Sequence, residues 1–214
     1  MNGIAGVAID VGREAVWVRG DTPLGVVSSA LVGGNLRTAR HIVNMHVAAG
    51  YRGERPAEDL EAFAGHLGIR EPFVGLMTAA RTHEAAVASE ADGDAVVTAV
   101  VTVGLGSPVA AGVSPPGPWR PSTINTIVLL DARLGPSAAV NAVITATEAK
   151  VGALTEAGVL TPVGIRATGT VTDAVVVAWT GRGPRFDYLG PAAPGGWLVA
   201  RAVRRAVAEG IERA

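Results

Sequence analysis

The run Ala174-Val-Val-Val-Ala-Trp179 is the longest strongly apolar block in the chain. It falls far short of the roughly 18 apolar residues that a membrane-spanning helix requires. Its β-branched content fits a buried strand instead. Comparable short runs recur between turn signals, so this chain is constrained to build a sheet.

"GIAGVAIDVGREAVWVRG" holds two Val/Ile-rich runs split by "DVGRE" and reads as a hairpin, with "GVVSSALVGG" as a third strand. From Leu36 to about Val47 the spacing turns helical, with Asn35 as its cap. "PAEDLEAFAGHLG" is a surface helix: Pro56 sits in its first turn, Glu58, Asp59 and Glu61 favour the positive end of the dipole, and Gly68 ends it. "FVGLMTAA" reads as a buried strand, and "EAAVASEADGDAVVTAVVTVGL" as two strands joined at an Asp-Gly turn. "TINTIVLLDA" and "TDAVVVAW" are further strands, and Pro136 opens a long helix. The chain closes on an amphipathic helix with Leu198, Val199, Ala202, Ala206 and Val207 towards the core. The expectation is a single α+β (mixed α/β) domain over residues 1–214, with a mostly antiparallel or mixed sheet and helices packed on it. The Gly/Pro-rich segment 104–121 is long for a connector, and such loops often serve function.

With no cysteine, the chain has no disulfide, thiolate or Cys-ligated metal chemistry. His41, His46, His66 and His83 show no metal-ligand spacing, so no metal and no cofactor is expected. A net charge of −1 and 4% aromatics give no reason to expect nucleic acid. The first residues lack a basic segment followed by an apolar one, so nothing marks them for export. A small-molecule ligand, a cytoplasmic location, no membrane partner and a possible homo-oligomer are the expectations.

Three stretches carry candidate chemistry. In the helix at about 137–157, Asn141, Thr145 and Glu148 fall in a narrow polar stripe, continued by Gly152 and Thr155. Val140, Val143, Ile144, Val151 and Leu154 form a broad apolar face, and Ala142, Ala146, Ala149 and Ala153 a small one. The stripe is either a solvated side or the wall of a polar cavity. Lys150 points nearly away from Glu148. In "ATGTVTDA", 167–174, three threonines and a glycine lead into a buried strand. Such a turn can present backbone N–H groups to an oxyanion. Asp173 is either a general base or a brace for the turn. "SSALVGGN" at 28–35 offers hydroxyls without a local base.

These stretches together resemble the adenosylcobinamide amidohydrolase (CbiZ) family of corrinoid salvage. The matching pieces are "VVSSALVGGNLRTARHIVNMHV", "VGLMTAA", "VTVGL", "TINTIVLLDARLGPSAAVNAVITATEAKVGALTEAG" and "TGTVTDAVVVA". The resemblance implies hydrolysis of the amide joining aminopropanol to the corrin side chain, giving adenosylcobyric acid for coenzyme B12 synthesis. Two departures flank the long loop: Ser107-Pro108-Val109 stands where an Asn-Ala pair is expected near Gly106, and Pro121-Ser122 where Gly is usual.

Residue roles come from chemistry. A broad ring fringed with amides calls for a cleft of neutral donors and acceptors, and Ser29, Asn44, Thr78, Asn125, Asn141, Thr145, Thr168, Gly169 and Thr172 are of that kind. Glu148 or Asp173 would activate water, with N–H groups around Gly169–Thr170 or the Asn125 amide holding the oxyanion. A hydroxyl nucleophile, Thr170 or Ser29, is the alternative route. Alternative functions are a corrinoid-binding protein without catalysis, or an amidase for another substrate.

Overall fold

The computed structural model describes residues 3–116 and 122–214. Strand β1 (Val7–Val11) turns into β2 (Ala15–Ser28), and β3 (Thr38–His46), helix α1 (Pro56–His66) and β4 (Val74–Thr78) follow. The hairpin β5 (Ala86–Asp92) and β6 (Ala95–Val103) leads to the short β7 (Pro108–Val109). Next come β8 (Ile124–Leu130), β9 (Arg133–Leu134), α2 (Pro136–Glu156), β10 (Gly169–Thr170), β11 (Ala174–Trp179), β12 (Arg185–Phe186) and α3 (Pro194–Arg213). The α+β expectation holds. No helix among the described residues is long and apolar enough to cross a membrane.

Two sequence readings are corrected here. The stretch expected to be helical from Leu36 to Val47 is strand β3. Residues 42–45 are all buried, because this strand is covered on both faces. The alternation that marks a half-exposed strand is therefore missing, and a run of buried residues imitates a helical period. "GVVSSALVGG" is not a separate strand: its first residues are the far half of β2. That 14-residue strand shifts register between Arg19 and Leu24. Along one edge its near half pairs with β1 and its far half with β11, while β3 pairs with both halves on either side of the register shift. At Gly25, opposite Trp179, a Cβ would stand 2.2 Å from the indole, so only glycine admits the ring.

The main sheet runs β4-β3-β2-β11-β8-β6-β5, with β1 on β2. The β3/β4 and β8/β11 pairs are parallel and the others antiparallel. The sheet folds over on itself. Asn44 on β3 bonds to Thr102 on β6 and to Asn125 on β8, although two or more strands lie between them in the sheet order.

Between the two halves lies a core of Val16, Val18, Ile42, Leu76, Ile127, Leu129 and Val176. α1 covers the β3–β4 half through Leu60 and Ala64, and α2 and α3 cover the other. Alternation along β8 sends Asn125, Ile127 and Leu129 between the halves, and Ile124, Val128 and Leu130 towards the helices.

α3 buries all five residues expected of it. α2 does not follow its expected apolar face. Its alanines, with Leu154, face the core, while Val140 and Ile144 are 53% and 48% exposed. Small side chains let the helix approach both β11 and α3 closely, and that contact outweighs the extra apolar area of two branched residues.

Candidate active site

Strand ends converge where β4 finishes and β8 and β11 begin. A pocket of about 210 Å³ opens there, lined by Ser29, Leu31, Pro56, Leu76, Met77, Asn125 and residues 172–174.

Asp173 precedes β11, and strand alternation turns its side chain towards α2. Oδ2 accepts the N–H of Thr170 at 3.1 Å and an ion pair from Lys150 Nζ. Oδ1 accepts the Thr170 hydroxyl at 2.5 Å and the N–H of Ile124 at 2.9 Å. A carboxylate has about four lone-pair positions, and all four are engaged. Gly169 makes room for the pair: a Cβ there would lie 2.3 Å from Asp173 Oδ2 and 2.8 Å from Lys150 Nζ. This is a steric demand for glycine, since Gly169 is not among the positive-φ residues.

On the inter-sheet side, Asn125 donates both amide hydrogens, to Asn44 Oδ1 at 2.8 Å and to the Met77 carbonyl at 3.0 Å. Asn44 in turn donates to Thr102 at 2.9 Å. Thr123 links the two sides, its hydroxyl directed at Thr172 O at 2.8 Å and Asn125 Oδ1 at 3.2 Å. Buried polar groups persist only when paired, and this network pairs them while fixing each rotamer.

The structure thus gathers Asp173, Thr170, Gly169, Asn44, Asn125, Ser29 and Thr172 at or beside the pocket. Ser29 Oγ accepts the Val175 N–H at 3.0 Å, and its own proton finds only a 3.5 Å contact to Val175 O. Thr78 is fully buried and accepts the Ala80 N–H at 3.0 Å, a brace at the end of β4. Thr168 accepts the Ala111 N–H at 2.9 Å, and β10 pairs with β7, so residues 108–111 of the long segment rest on the turn, while its residues 117–121 lie outside the described residues. Pro108, part of one departure from the family pattern, is paired with Thr170. Pro121, of the other, lies outside the described residues.

The polar stripe of α2 is corrected. Glu148 is exposed and Asn141 half-buried, while Thr145 is buried with its hydroxyl on Leu189 O at 2.7 Å. None of the three lines the pocket. At about 100° per residue, Glu148 lies about 200° from Lys150, and the helix turns Lys150 to Asp173. The oxyanion roles given to the Thr170 N–H and the Asn125 amide group are corrected as well, since those donors are already committed. Sequence reading offered Lys150 only as a possible proton donor turned elsewhere on the helix, and missed its pairing with Asp173 as well as Thr123 and Thr102. Lys150 had a signal: it interrupts the small alanine face, between Ala146 and Ala153.

A second cleft of about 270 Å³ lies beside Ala79, Ala80, Gly104, Leu105, Gly106 and Ser122. Its charges pair locally, Arg81 with Glu84 at 2.9 Å.

The family model for adenosylcobinamide amidohydrolase matches residues 4–214. An adenosylcobinamide amidohydrolase of Methanosarcina mazei is 32% identical over 210 residues, covering 93% of this chain and 94% of that one. Among solved structures, a Burkholderia beta-aminopeptidase superposes with a TM-score of 0.52 at 13% identity, over 92% of this chain and 78% of that one. A Pyrococcus horikoshii protein gives 0.50 at 13% identity, over 97% and 83%. At such identity these two structures speak to the fold alone.

Proposed function

The chain belongs to the adenosylcobinamide amidohydrolase family, and we propose that it hydrolyses the amide joining aminopropanol to the corrin side chain of adenosylcobinamide. The products are adenosylcobyric acid, for coenzyme B12 synthesis, and free aminopropanol. One observation carries the assignment of this reaction to the pocket. Asp173 is the only ionisable group among its described lining residues, set among neutral amides, hydroxyls and apolar side chains. The pocket lies below the roughly 300–1,000 Å³ of sites that enclose drug-sized ligands. It suits the aminopropanol arm, with the macrocycle outside against a rim where Leu31 and Val171 are exposed.

In the proposed reaction the Thr170 hydroxyl turns away from Asp173 Oδ1, and the oxygen so freed takes a proton from a pocket water as the water oxygen bonds to the amide carbon. Asp173 then returns that proton to the aminopropanol nitrogen as the C–N bond breaks. Lys150 neutralises a carboxylate that would otherwise be buried without a counter-charge. Ser29, whose proton is loosely held, turns it to the oxyanion. Thr170 and Gly169 hold Asp173 in place. No step calls for a metal or cofactor, and the reading goes with a cytoplasmic enzyme without a nucleic-acid partner.

The 2.5 Å contact between the Thr170 hydroxyl and Asp173 favours a second route. Thr170 attacks, Asp173 receives its proton and passes it to the aminopropanol nitrogen as the C–N bond breaks, and water then cleaves the ester left on Thr170. Incubation with adenosylcobinamide, followed by assay of free aminopropanol, tests the function. Corrinoid binding without release would make the chain a carrier instead. A corrinoid ester on Thr170, detected by mass in a single turnover, would select the second route, and its absence the first.

A further inference from the structure

Asn125 is 1% exposed and lines the pocket. Both hydrogens of its amide nitrogen are donated, one to Asn44 Oδ1 at 2.8 Å and one to Met77 O at 3.0 Å. The Met77 carbonyl can only accept, so it fixes which way the amide faces: a flipped amide would set oxygen against oxygen. Oδ1 is therefore the end directed to Thr123. There a single hydroxyl proton faces two acceptors, and Thr172 O at 2.8 Å holds it more closely than Asn125 Oδ1 at 3.2 Å. A carbonyl oxygen accepts two hydrogen bonds. Asn125 Oδ1 has at most one long, shared one. The polar valence left on this buried side chain is that of an acceptor, and a ligand in the pocket meets it only by donating.

We propose that Asn125 Oδ1 accepts the N–H of the scissile amide and so sets the enzyme's preference for secondary amides over esters. The inference rests on the amidohydrolase reading of the pocket and adds the element that selects the bond. With its N–H on Asn125, a trans amide directs its carbonyl oxygen the opposite way. The pocket wall carrying Ser29 supplies the loosely held hydroxyl for it. An ester in the same pose presents an oxygen to Asn125 Oδ1, leaving a buried acceptor unmet and facing a second lone pair.

The test leaves the protein unaltered. Adenosylcobinamide is compared with two analogues, one with an ester oxygen in place of the scissile N–H and one with that nitrogen methylated. Turnover is followed by release of the alcohol or amine, and affinity by calorimetry. Both analogues are expected to bind about 10- to 100-fold more weakly, the scale of losing one hydrogen bond to a buried acceptor. The ester, though more labile in solution, is expected to gain no advantage in kcat/KM. Equal affinity for amide and ester, or faster turnover of the ester, overturns the proposal while the amidohydrolase reading stands. If no substrate is cleaved, that reading fails, and the ratio of the three affinities still decides the role of Asn125.

Discussion

Lys150 on α2 and Asp173 ahead of β11 form an ion pair whose side chains are only 8% and 12% exposed. Breaking such a pair by removing one partner leaves a charge without compensation and costs about 3–5 kcal/mol, whereas replacing both partners is far milder. Lys150→Met should therefore lower the melting temperature and abolish most activity. The double variant Lys150→Met with Asp173→Asn should regain much of the stability and none of the turnover. A double variant as unstable as the single one contradicts the pairing.

Glu148→Gln should be silent. Glu148 is exposed on the side of α2 away from Asp173, and such surface changes usually stay within about 0.5 kcal/mol. Turnover within about twofold of the unaltered protein is expected. A loss of a hundredfold would return Glu148 to the mechanism.

Gly169→Ala should be damaging despite its size. The added carbon lies 2.3 Å from Asp173 Oδ2 and 2.8 Å from Lys150 Nζ, so the pair must move. With reacting groups displaced by about 1 Å, losses near 10²-fold are typical. Steady-state assay should find the fall in kcat, and normal kcat would show that the position of the pair is not critical.

Ser29→Ala should separate binding from chemistry. Loss of an oxyanion donor lowers kcat by about 10²–10³, while KM should change little. The bond from the Val175 N–H is worth about 1 kcal/mol, so folding should survive. A rise in KM at constant kcat would assign Ser29 to substrate binding.

Prolonged treatment with EDTA should leave aminopropanol release unchanged, because the proposed steps move protons between water, Asp173 and the leaving amine. Loss of activity restored by a divalent ion would replace this mechanism with a metal-assisted one.

The sequence by itself determined most of the elements. Asp-Gly at Asp92–Gly93 sets the β5/β6 hairpin, Pro56 and Gly68 bracket α1, and the period of α3 picks out its buried residues, because these signals act within a few residues of chain. The threonine–aspartate turn and Asn125 were legible for the same reason: a polar residue at the mouth of a buried strand needs local partners. Tertiary structure decided the rest. β3 is buried on both faces, so its pattern lost the period of two that would have marked it. α2 carries three plausible faces, and nothing local ranks them. The sheet and α3 chose the alanine side for close approach, which swung Lys150 to Asp173 and Glu148 to solvent. Whether a charged residue on a helix meets a partner or water depends on which face packs, and contacts between residues far apart in the chain settle that.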